Sequence, residues 1–181
     1  MIRSTVLSLA LLAAVPWAAA APVLLPPSTI KVSFQEMGVT VDANFTKFTG
    51  TIDFDPAKPA AAHVEFTIDI TSFDLGNAEY NREVLKPEWF DAAHFPTAHF
   101  VSTSLKPLAA GQMQANGKIT IKGRTQDVGF VVSTHEQGAQ RSYDGVVRIK
   151  RNAFGVGTGE WAATDTLADD ISITVHAVSS R

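Results

Sequence analysis

The stretch Phe45-Thr46-Lys47-Phe48-Thr49-Gly50-Thr51-Ile52-Asp53-Phe54-Asp55-Pro56 and its partner Ala62-His63-Val64-Glu65-Phe66-Thr67-Ile68-Asp69-Ile70 decide the fold class. In the second, Val64, Phe66, Ile68 and Ile70 alternate with Glu65, Thr67 and Asp69. That is the period of a strand with one wet and one dry face. Ile52 and Phe54 alternate with Thr51, Asp53 and Asp55 in the same way, and Asp55-Pro56 with Lys58-Pro59 supplies the turn between the halves. So much phenylalanine on the dry face calls for a deep apolar interior.

The alternation recurs on both sides of this pair. Ile30 to Phe34 and Val39 to Phe45 read as strands, separated by Met37-Gly38. Beyond the pair come Ala98 to Leu105, Gln112 to Lys122, Gln126 to His135, Tyr143 to Lys150 and a last strand through Ile171, Ile173, Val175 and Ala177. About eight strands at hairpin spacing, without a βαβ rhythm, argue for an antiparallel barrel or sandwich. One region reads as helical. Asn77 caps Ala78 to Leu85, with Tyr80, Val84 and Leu85 turned inward, and Pro87 opens a second turn, Glu88 to Ala93. Trp89, Phe90 and Phe95 crowd this excursion.

Residues 1–20 read as a leader. Arg3 is followed by the apolar run Val6 to Val15 and by Ala18-Ala19-Ala20, the pattern of a secretory signal peptide cut after Ala20. The run is shorter than the ~20 residues that span a bilayer. A single domain, 21–181, is expected to follow, exported to the periplasm or secreted, with no integral membrane segment. The chain has no cysteine, so neither disulfides nor lipid attachment to a cysteine is available. Loss of the leader removes Arg3 and no acid, moving the formal net charge from −3 to −4. Acids and bases are interspersed, and nothing resembles a phosphate-backbone footprint, so nucleic acid is not expected as a partner.

Catalytic parts are missing from the pattern. There is no Gly-x-Ser-x-Gly elbow, and Gly155-Val156-Gly157-Thr158-Gly159 has the wrong spacing for a dinucleotide loop. His63, His94, His99, His135 and His176 form no ligand-spaced pair, so no metal is expected and the histidines read as rim or surface residues. His99 and His135 are the residues an enzyme reading would test first. Eleven phenylalanines against two tyrosines and three tryptophans remain to be housed. An eight-stranded barrel is either filled by side chains or holds one small ligand, and alternation leaves both open.

Several stretches together resemble the YceI-like family, bacterial proteins with a lipocalin-like fold that bind polyisoprenoids. They are the Phe45–Pro56 segment, Ile68-Asp69 with Ser72-Phe73-Asp74, and Trp89-Phe90-Asp91-Ala92 with His94-Phe95-Pro96-Thr97-Ala98-His99-Phe100. Gly117 to Thr125 and Arg151-Asn152-Ala153-Phe154-Gly155 are similar to later signatures, the last without the serine and acid of the usual Arg-Ser-Asp-Phe-Gly. The resemblance implies an all-β, antiparallel eight-stranded lipocalin-like barrel with a short helical insertion. It implies a non-catalytic binding protein, without a required cofactor, that encloses a long isoprenoid or quinone-like lipid, and it suggests a homodimer. Combined with alternation, it points to a wall of Phe45, Phe54, Phe66, Ile68, Phe100, Ile119, Ile121, Phe130 and Val147, with Trp89, Phe90 and Phe95 at one end. About 15 enclosed carbons would contribute on the order of 12 kcal/mol gross. Association costs ~4–15 kcal/mol, so a long chain can bind where a short one barely does. The alternative is a barrel with a filled interior, acting through its surface as an interaction or stress-protective module.

Overall fold

In a computed structural model, the chain is described over residues 20–180 except 56, 59, 60 and 110. The predicted leader, apart from Ala20, lies outside the described residues. In chain order the elements are β1 (Ala21–Pro22), β2 (Thr29–Glu36), β3 (Val39–Phe45), β4 (Phe48–Asp53), β5 (His63–Asp69), β6 (Phe73–Asp74), α1 (Ala78–Glu83), β7 (Thr97–Pro107), β8 (Gln112–Ile121), β9 (Arg124–Gln137), β10 (Gln140–Lys150) and β11 (Asp170–Ser180). All strand pairings are antiparallel, in the order β1-β4-β5-β7-β8-β9-β10-β11-β2-β3-β6.

The sheet curls on itself, and its first two courses are broken strands. Thr46 and Lys47 interrupt β3 and β4, which form one bent course, so Phe45 ends β3 and does not begin the next strand. The bend is pinned by Ser72, whose hydroxyl accepts from Lys47 N (3.0 Å) and lies 2.7 Å from Asp69 O. Likewise β1 and β2 form one course across residues 23–28. Val23 N donates to Gly50 O and Leu24 N to Val178 O, both at 2.8 Å, so this segment stitches β4 to β11. Counted by courses, β1/β2, β3/β4, β5, β7, β8, β9, β10 and β11 make an eight-stranded barrel. Among the described residues, the eleven separate segments exceed the expected eight because two courses are interrupted and β6 adds a two-residue strand beside β3.

The helical insertion is shorter than expected. Asn77 caps α1 by accepting from Glu79 N and Tyr80 N, but the helix stops at Glu83. The expected second helical turn, Glu88 to Ala93, is a series of turns. Asp91 sits at φ 51°, a left-handed conformation that ends any helix and that Asp tolerates better than most residues. The chain then folds back, with Phe90 N on Val84 O and Ala92 N on Leu85 O, both 3.0 Å. Tyr80, expected inward, is exposed, whereas Val84 is buried. Among the described residues no helix is long and apolar enough to cross a membrane.

Candidate functional site

Most inward positions along the strands are apolar, and inward Ser102 turns its hydroxyl to Val64 N (2.9 Å), so the closed barrel encloses a largely apolar interior. They do not fill it. A cavity of about 210 Å³ runs through the interior. One water needs only ~10–15 Å³, and an apolar cavity of ~150 Å³ takes up benzene. Among the described residues, no polar atom reaches its surface. Phe45, Phe54, Phe66, Ile68, Trp89, Phe90, Phe100, Ile119, Ile121, Phe130 and Val147 all line it. Phe95 does not. The turn at Asp91 sends its ring over Gly123 instead, where a Cβ would stand 2.8 Å from Phe95 Cε1.

Sequence reasoning passed over the residues that keep the cavity hollow. Gly50, Gly117 and Gly145 occupy inward positions on β4, β8 and β10, each covered by a phenylalanine from the next strand. A Cβ at Gly50 would lie 2.8 Å from Phe66 Cδ1, one at Gly117 2.5 Å from Phe100 Cε2, and one at Gly145 3.2 Å from Phe130 Cδ2. The rings therefore lie along the wall rather than across the lumen. Small residues at Ala115 and Ala177 widen the same interior. The signal for these was present, since glycine inside a strand marks a close approach, but the covering ring is set by register between strands.

One end of the barrel is roofed by the β5–β7 excursion and the β10–β11 connection. Thr158 N donates to Glu88 O (2.8 Å), while Lys122 Nζ reaches Pro87 O (2.6 Å) and Gly155 O (2.8 Å). Burial lowers the Lys122 pKa below the ordinary lysine value. Behind the roof Arg151, 3% exposed, spends its guanidinium on backbone carbonyls, those of Val156, Gly157, Ala163, Leu167 and Ala168, at 2.8–3.1 Å. Burial pulls its pKa below the usual arginine value, with Asp169 opposing. Trp89 rests beside Trp161, centroids 5.3 Å apart, and its Nε1 is buried with no hydrogen-bond partner among the described residues. At the opposite end Arg141 stacks 5.2 Å over the Phe54 ring and pairs with Glu136 at 2.6 Å. Burial works against the Arg141 charge, but the hydrogen bonds it donates to Glu136 and Tyr143, together with the charges of those groups, outweigh burial and raise the pKa.

Among the described residues, polar side chains do not converge inside. His99 spends its ring nitrogens on Thr67 Oγ1 (3.2 Å) and Thr97 Oγ1 (3.0 Å), and His135 is exposed. No three His, Cys, Asp or Glu side chains stand together as a metal-binding group among the described residues. The arrangement can take up a hydrocarbon chain and shield it from water.

Comparison with known proteins agrees with this geometry. Residues 25–179 match the family model described as the YceI-like domain. A UPF0312 protein of Vibrio cholerae is 30% identical over 122 residues, 64% of this chain, so the match spans about 65% of that relative's length. The crystal structure of Burkholderia cenocepacia BcnA shares 41% identity at a TM-score of 0.85, covering 87% of this chain and 99% of that one. A polyisoprenoid binding domain from Saccharophagus degradans, implicated in plant cell wall breakdown, shares the fold at a TM-score of 0.71 and 13% identity, over 89% of this chain and 98% of that one.

Proposed function

The chain belongs to the family of YceI-like domains, and from that membership and its hollow barrel we propose that it is a binding protein that encloses the tail of a long-chain isoprenoid or similar lipid. The observation that carries this reading is the cavity, apolar over its whole surface and left open by rings folded against glycines. Its elongated hydrophobic wall suits a chain-like ligand, and the polyisoprenoid binding domain that shares the fold supports the class. The protein acts without catalysis, carrying or sequestering its ligand in the periplasm or outside the cell after removal of a signal peptide spanning residues 1–20. The mature domain, 21–181, needs no cofactor for this and works as a monomer or a homodimer. Organic extraction of the purified protein followed by mass spectrometry tests the reading. A bound prenyl or acyl chain is expected, and protein that neither carries nor takes up such a chain contradicts it.

A further inference from the structure

β9 and β10 are hydrogen-bonded neighbours over only part of their length. Their register runs from Gln137 opposite Gln140 to Val132 opposite Gly145, where it stops. Beyond that point residues 124–131 pair with β8 and residues 146–150 with β11, but not with each other. Apolar side chains close the gap: Val128, Phe130 and Ile149 belong to the same cluster as Val147. Parting two laddered strands breaks backbone hydrogen bonds at about 1 kcal/mol net each. Parting this seam breaks none and separates only packed side chains, so the wall can open there without losing a backbone ladder.

A groove of about 550 Å³ lies on the outer face over the same seam. Phe130, Gly145 and Val175 form its floor and also line the lumen, so a single layer of side chains separates the two spaces. Val131 and Val146 flank the groove, 43% and 41% exposed. Its polar walls are Gln112, Ser133, Thr174, Asp144 and Arg148. The groove holds one acid and one base, and Asp144 pairs with His176 at 2.6 Å. Among the described residues no polar atom is exposed at the lumen surface, and burying an unpartnered polar head costs ~2–7 kcal/mol. A head group therefore belongs outside the lumen, and a seat with balanced charges suits a neutral one.

We propose that the β9/β10 seam is the entrance of the lumen and that the groove over it is the head-group subsite, taking a neutral hydrogen-bonding head such as a hydroxyl or a quinone carbonyl. The assignment rests on the tail-in-lumen reading. Phe130 is the gate: its ring moves off Gly145 to admit the chain, and the head stays in the groove among Gln112, Ser133 and Thr174.

The chain has no cysteine, so Val131→Cys with Val146→Cys places one disulfide across the seam, one step past the last registered pair. N-phenyl-1-naphthylamine, which brightens in apolar surroundings, reports entry. Oxidation is expected to slow dye uptake by at least about tenfold, with reductant restoring it, and Phe130→Ala in the natural chain is expected to speed it. Equal rates with and without the staple, or an unchanged rate in Phe130→Ala, overturn the entrance. In displacement of the dye, geranylgeraniol is expected to act at about tenfold lower concentration than geranylgeranyl diphosphate. Equal or better displacement by the diphosphate overturns the neutral subsite. Dye that enters none of these proteins removes the tail-in-lumen reading and the entrance with it, whereas entry at one common rate removes the entrance alone.

Discussion

The Phe100 ring lies flat across Gly117 on the neighbouring strand, so close that a Cβ there would meet Cε2 at 2.5 Å and Val101 O at 2.6 Å. This contact, with its counterparts at Gly50 and Gly145, decides that the barrel is hollow. Large rings facing inward would otherwise meet in the middle, as they do in barrels of this size that are filled by side chains.

Gly117→Ala should therefore do two things. It should destabilise the fold by about 1–3 kcal/mol, the usual cost of overpacking, and push Phe100 into the lumen. Gly145→Ala meets only side chains, at 3.2–3.4 Å, and should cost less, within about 1 kcal/mol. Urea denaturation of the two variants checks the order, and reversal of that order would contradict the packing account.

Ala115→Phe adds volume at an inward position that is 3% exposed. The cavity should shorten, and uptake of a 20-carbon prenyl alcohol should fall more steeply than uptake of a 10-carbon one. Titration of both alcohols reads the difference. An equal change for the two chains would mean that the lumen does not measure length.

Alternation carries most of this wall into view before any folding is considered. Ile52, Phe54, Phe66 and Ile68 stand where a period of two puts them, because a half-buried strand writes its faces locally. Three features depend on non-local pairing and leave no such mark. The glycines contribute no side chain to alternate, so the rings that cover them emerge only from register. Phe95 sits among other aromatics in the sequence, but the left-handed turn at Asp91 swings it onto Gly123. Val128, Phe130 and Val132 alternate as an ordinary strand does, although only Val132 has a partner on β10.

Arg151 donates to five backbone carbonyls and meets no carboxylate within salt-bridge distance among the described residues. Arg151→Ala would strand those acceptors, each costing ~1–3 kcal/mol if left dry. Water will reach some of them, so a loss of about 3 kcal/mol is expected. Hydrogen exchange should rise first between residues 151 and 168. Unchanged protection in that connection would show that the guanidinium does not hold the roof.

Acid should loosen the roof from the excursion side. The Thr71 hydroxyl bonds Asp69, and Asn81 with Gly76 N bonds Asp74, so both carboxyls titrate below the ordinary 3.8. For a depressed carboxyl, the stabilising contribution is complete above the unfolded value and is lost as pH falls through the folded one. Both groups are exposed, so the effect is local. Amide protection in residues 70–83 should therefore fall as pH drops below about 3.8, before the barrel strands respond. Simultaneous loss throughout would contradict this.

Native mass spectrometry of the protein purified from cells, followed by solvent release, measures directly whether the lumen holds a hydrocarbon tail. The expected result is a bound species that leaves in solvent as a long prenyl or acyl lipid and returns when the stripped protein is incubated with that lipid. Protein that emerges at the bare mass of its chain, and stays there after incubation with long-chain isoprenoids, would contradict it.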